Sequence, residues 1–234
     1  MAIERKRFFL KRSASRSLLR YNVFMMRLLA IALLLLTGCR FFADHTPVPN
    51  PDPNHTHADF AVWVNGEKLD FSGAEYMSGT STDEQTHDEV DEYLDEYLHL
   101  HDEVGHVIHR HKPGLTLLEF LKSLGLTVRD DAIYIPDRGD IVNWEMGGET
   151  WRLFINGQLQ PQYSPLTTTL NYQFQDMDQI LLVFGHADAN LDAAFDQMTN
   201  DACLYSKTCP WRGNPPVENC IADPEVPCVL PDEE

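Results

Sequence analysis

Glu96-Tyr-Leu-His-Leu-His-Asp-Glu-Val-Gly-His-Val-Ile-His-Arg-His111 decides how this chain is read, because five of its last thirteen residues are histidine. Tyr97 to His101 and Val107 to His111 both alternate with a period of two, and a β-strand places residues i and i+2 on one face. Both halves are therefore predicted to be strands. Between them, Asp102-Glu-Val-Gly105 suits a three-residue loop, Glu103 to Gly105, with Gly105 in the left-handed region it enters without steric cost. This register opposes His99 to His109 and Leu100 to Ile108. His99, His101, His109 and His111 then share one face, while Leu98, Leu100 and Ile108 turn to the core, with His106 and Arg110 on the core side.

Opposed residues on paired strands have Cβ atoms about 5 Å apart, which lets two imidazoles hold one ion with metal–nitrogen bonds of about 2.0–2.1 Å. A one-residue slip would divide the four rings between the two faces. The hairpin therefore reads as a metal site, and imidazole donors favour zinc or copper(II) over calcium or magnesium. A solvated, histidine-rich strand face is the alternative.

Upstream, His55-Thr-His57 opens a strand, Ala58 to Val64, which turns at Asn65-Gly66 and returns as Glu67 to Phe71; Asn-Gly between apolar runs signals a hairpin. His55 and His57 also stand two apart and are candidates for a second pair of ligands. Downstream, Pro113-Gly114 turns the chain. Thr116-Leu-Leu-Glu119 then forms a capping box for a helix from Leu117 to Leu124, ended by Gly125. Leu117, Phe120, Leu121 and Leu124 fall on one helical face, so the helix should lie on a sheet. Strands are expected at Ala132 to Ile135, Thr150 to Ile155 before Asn156-Gly157, Thr168 to Phe174, and Ile180 to Phe184. Asp188 to Gln197 reads as a short helix. The fold class is α+β, a mainly antiparallel sheet of hairpins with one short packed helix and a disulfide-bonded C-terminal tail. Residues 112–185, with Phe154-Ile-Asn-Gly157 and Asp178 to Gly185, resemble a β-grasp domain of secreted ligand-binding proteins; the histidine hairpin is not part of that likeness.

The ends of the 234-residue chain carry different signals. Eight Lys and Arg residues within positions 1–27 precede the apolar run Leu28 to Leu36 and then Thr37-Gly38-Cys39. The run is too short for a membrane-spanning helix and reads as a secretion signal. Leu36-Thr37-Gly38-Cys39 resembles the lipobox of bacterial lipoproteins, which implies a signal peptide at 1–38 and Cys39 as the lipidated first residue of an envelope protein facing periplasm or exterior. A Pro-rich tether, 39–54, would link the membrane to a histidine-rich domain, 55–187. An acidic, cysteine-containing tail, 188–234, follows.

The full chain has a formal charge of −18, and loss of 1–38 leaves 35 acidic against 10 basic residues, a mature charge near −25. Such a surface argues against nucleic acid as partner and for cations. The block from Asp83 to Glu96, which includes His87, reads as a solvated loop. Cys203, Cys209, Cys220 and Cys228 are an even set in an exported chain, read as two disulfides, with 203–209 and 220–228 the preferred pairing.

No nucleophile elbow, His-Glu-x-x-His helix or phosphate loop is present, so the chain reads more readily as a binding protein than as an enzyme. Three functions remain open: a lipid-anchored binder of a divalent transition metal, a structural or protein-interaction lipoprotein without metal, and a pH sensor using the same imidazoles.

Overall fold

Alternation along β1 (Thr56–Val64) sends Ala58, Phe60 and Val62 to one side and His57, Asp59, Ala61 and Trp63 to the other. All eight residues from Thr56 to Trp63 are buried. A strand buried on both faces belongs at the centre of a sheet. In the computed structural model, which describes residues 45–77, 97–135, 140–143, 148–162 and 165–216, β1 pairs in parallel with β10 (Gln179–His186) on one side. On its other side it pairs antiparallel with β4 (Val107–Arg110) near its start and with β2 (Glu67–Lys68) near its end. The seven-stranded sheet runs β3-β4-β1-β10-β8-β9, with β3 (Leu98–His99) beyond β4, then β8 (Glu149–Ile155) and β9 (Gln158–Leu159) beyond β10; β2 lies off this path.

Both Asn-Gly turns form as expected. Asn65 and Gly66 (φ 51° and 83°) join β1 to β2, and Asn156 and Gly157 (φ 51° and 75°) join β8 to β9. Positive φ at both central positions is the I′ pattern that matches the strand twist of a two-residue hairpin. The parallel β1–β10 pair was not foreseen, because hairpins yield only antiparallel neighbours and a parallel pair needs a long crossover.

The helix α1 (Leu117–Ser123) carries the predicted capping box. Thr116 Oγ1 accepts from Glu119 N–H, and Glu119 accepts from Thr116 N–H at 2.8 Å. Leu117, Phe120 and Leu121 are buried in the same core as Phe60, and the Phe60 and Phe120 rings meet edge-on at 4.9 Å. This face, with Ile108, Trp151, Leu182 and Phe184, is the main core. Each such side chain stabilises by about 1.5–3 kcal/mol on burial. Arg110 borders the same side, as expected, donating to the Phe174 and Leu115 carbonyls and to Thr56 Oγ1. Burial holds its guanidinium below its ordinary pKa.

The expected strand at Thr168 to Phe174 is instead α2 (Leu166–Leu170) followed by irregular chain. Three consecutive threonines favour a strand, but burying Leu166, Thr169 and Leu170 on one helical face overrides that propensity. A separate three-stranded sheet, β5 (Thr127–Val128), β6 (Ala132–Ile135) and β7 (Asp140–Asn143), contains the anticipated strand at 132–135.

The other face of β1 is covered by the C-terminal segment, through α3 (Asp192–Asp196) and α4 (Ala202–Tyr205). Ala61, Trp63, Leu181, Val183 and Ala194 form a second apolar cluster there. The leader with Cys39, the acidic block with His87, and Cys220 and Cys228 lie outside the described residues. Among the described residues no helix is long and apolar enough to cross a membrane.

Candidate metal centre

Three adjacent strands set the positions of the histidines. His109 on β4 is opposed to His99 on β3 and to His57 on β1, giving a row of three rings across the sheet. The expected His99–His109 opposition is therefore present. Antiparallel pairing brings His55, two residues before His57, beside His111, two residues after His109; their ring centroids are 4.2 Å apart. His101 continues past β3 and leans on His109, with 3.9 Å between centroids. The four hairpin histidines thus share one face with His55 and His57.

None of these rings is on a solvated face. His109 and His111 are 0 % exposed, His57 and His99 1 %, His55 and His101 8 %. Six imidazoles gathered away from water need hydrogen-bond partners or an ion, because an unsatisfied buried polar group is costly.

The turn itself differs from the expectation. Asp102 and Glu103 take positive φ (57° and 59°), and Val104 N–H donates to His101 C=O. Gly105 is not in the left-handed region. It is required for another reason: a Cβ there would lie 2.4 Å from the Phe71 carbonyl carbon and the Ser72 nitrogen, so the backbone of the β2 return passes where any side chain would stand. His106, expected on the core side, instead reaches Asp201 with Nε2 3.1 Å from Oδ2. Burial pushes Asp201 up, but hydrogen bonds from Arg212 and His106 outweigh it and hold the carboxyl below its ordinary value.

Among the described residues, the tightest set of donors is His55, His57 and His109, whose ligand atoms lie within 4.8 Å of one another. These three could hold a metal ion. The set takes His57 from β1, His55 from the residue just before it and His109 from the hairpin; His99, His101 and His111 surround it, with His111 5.0 Å from His99 between centroids.

Two hydrogen-bond chains assign the ring protons when the rings are neutral. His57 Nδ1–H donates to Ser206 Oγ (2.8 Å), which donates to Asp176 Oδ1 (2.5 Å). A carboxylate only accepts, so the direction is fixed and His57 keeps its lone pair on Nε2. In the second chain, His101 Nδ1–H donates to Asp102 Oδ2 (2.6 Å), so His101 Nε2 accepts from His109 Nδ1–H (3.1 Å). His109 also keeps its lone pair on Nε2. Outer partners of this kind fix the tautomer and raise the basicity of a metal-binding imidazole.

The covering layer is built by the C-terminal segment. Tyr205 on α4 places its ring 4.9 Å from His109 and 5.6 Å from His57. Asp59, two residues after His57, caps α4, with Oδ1 accepting from Asp201 N–H and Thr199 Oγ1–H and Oδ2 from Ala202 N–H. Burial raises the Asp59 pKa against these three bonds. The Cys203–Cys209 disulfide, in the expected pairing, closes the segment, and both cysteines are buried. Val48 N–H donates to the Thr208 carbonyl on the far side of that loop.

Tyr205, Ser206, Asp176 and Asp59 were not identified from the sequence. Asp59 alternates in phase with His57, a detectable signal. Ser206 and Asp176 are far from His57 in the chain and carry none. Against family models, curated proteins and solved structures, the chain has no significant match.

Proposed function

We propose that the protein holds a divalent transition ion, zinc or copper, in the site centred on His55, His57 and His109. The single observation that carries the reading is the convergence of these three buried donors within 4.8 Å, two of them held by carboxylate-terminated chains in the tautomer that offers Nε2. Neutral imidazoles suit zinc and copper(II). A catalytic metal keeps one position open to substrate, whereas here Tyr205 and the disulfide-closed segment cover the rings. Binding, not catalysis, fits that cover.

On the proposal's cellular side, the ion is held at a membrane surface by a lipid on Cys39, in the cell envelope, with the strongly acidic chain concentrating cations nearby. Support comes from Leu36-Thr37-Gly38-Cys39 behind the apolar run. The β-grasp-like reading of residues 112–185 is supported by α1 followed in the chain by the antiparallel strands β8, β9 and β10. Cys39→Ser should abolish fatty-acid labelling in a bacterial host; unchanged labelling would remove the anchor.

The metal reading is tested with untagged mature protein, stripped by chelator and titrated with zinc and copper(II). Saturable binding is expected in wild type and its loss in His55→Gln/His57→Gln/His109→Gln with the fold retained. Equal binding by both would rule the site out.

A further inference from the structure

We infer that the cluster holds a second ion, with His109 shared between the two positions. The inference rests on the metal-holding reading above and concerns the other side of the same imidazole. His109 Nδ1 lies 3.1 Å from His101 Nε2, which leaves its Nε2 as the donor for the site with His55 and His57. Two nitrogens bound to one tetrahedral zinc are separated by about 3.3 Å, given bonds of 2.0–2.1 Å. The His109–His101 gap is therefore the edge of a coordination tetrahedron as well as the length of a hydrogen bond.

The ring positions on the two sides can be compared with what an ion requires. Three imidazoles around one tetrahedral ion have centroids about 5.2 Å apart for those bond lengths. For His55, His57 and His109 the separations are 4.4, 4.7 and 6.2 Å. For His99, His101 and His109 they are 3.9, 5.9 and 6.1 Å. The first trio departs from that spacing by at most about 1.0 Å and the second by at most about 1.3 Å, so the second ion draws its rings in by somewhat more than the first, which alone already has its donor atoms within 4.8 Å. All five rings are buried. His101 is already oriented by Asp102, the acidic residue in the left-handed turn.

The second ion takes the place of the proton on His109 Nδ1. That proton leaves to solvent, His109 becomes an imidazolate with one ion on each nitrogen, and His99 and His101 bind as neutral donors. No oxidation state changes. A shared ring sets the two ions about 6 Å apart, which couples two copper(II) spins through the imidazolate.

The test uses metal-free, untagged mature protein. Zinc content after saturation and dialysis should be two per chain in wild type, and one in either His99→Gln/His101→Gln or His55→Gln/His57→Gln. His109→Gln should hold neither ion tightly. With two copper(II) per chain, the integrated paramagnetic resonance signal of wild type should fall well below two spins, while the single-site variants show one full spin. One zinc in wild type, unchanged in His99→Gln/His101→Gln, would overturn the second position and leave the first intact. Two ions with two full, uncoupled spins would overturn the sharing of His109. No zinc in wild type would instead sink the metal-holding reading itself. Where a double variant fails to fold by circular dichroism, the wild-type zinc count and spin integral decide alone.

Discussion

The two faces of β1 are built on opposite principles. Ala58, Phe60 and Val62 enter a dry core under α1, where Phe60 meets Phe120 and no polar group is needed to hold the layers. One residue out of phase, His57 and Asp59 enter a layer of imidazoles, carboxylates and a disulfide-closed segment, equally buried but polar. Apolar burial is non-directional and tolerates approximate fit. A buried polar layer stabilises only when each donor and acceptor is matched. An apolar layer covers the sheet with fewer conditions, as Ala61, Trp63, Leu181 and Val183 do at its far end, so stability alone does not call for the polar one.

Phe120→Ala should cost about 4 kcal/mol through lost transfer energy and a cavity, with the loss in denaturant unfolding the same whether zinc is present or absent. A cost that vanished with zinc would mean the two faces are not energetically separate. On the polar side, Asp59→Ala removes the acceptor for two backbone N–H groups and the Thr199 hydroxyl. Leaving those donors buried should cost about 3 kcal/mol and expose Tyr205 to solvent quenchers. An unchanged Tyr205 environment in a destabilised variant would contradict the capping role.

The smallest expected effect is at Asp201, whose side chain is one-third exposed. Its pKa is lowered in the folded protein, so its ionised form contributes stability above the ordinary carboxylate pKa of about 3.9, and that contribution is lost as pH falls through the lower folded value. Solvent screening limits it to about 0.5 kcal/mol. Asp201→Asn should therefore be slightly less stable than wild type at pH 7, with the gap closing as pH falls through the lowered folded value. A gap that widened on acidification would reverse the assigned sign.

What could be read from the chain was what short-range periodicity encodes. The two Asn-Gly turns, the Thr116–Glu119 capping box and the phase of His99, His101, His109 and His111 each depend on residues within a few positions of one another, and all are present. What depended on distant partners was not legible. Nothing near Tyr97 or Val107 in sequence says that β1, forty residues earlier, lies beside β4 and brings His57 against His109. Glycine permits a positive φ at position 105, but what requires it there is the Phe71–Ser72 backbone passing across it. The Cys203–Cys209 pairing could be proposed from spacing, but Ala202–Tyr205 is a single helical turn, too short to show which face it presents.

If the imidazole face holds an ion, thermal unfolding of the untagged, chelator-stripped mature protein should respond to zinc. Binding at about 100 times Kd stabilises by about 2.7 kcal/mol, which for a domain of this size raises Tm by roughly 5–10 °C. That rise is expected in wild type and none in His55→Gln/His57→Gln/His109→Gln. An equal rise in both proteins, or no rise in either, would contradict the ion-holding reading.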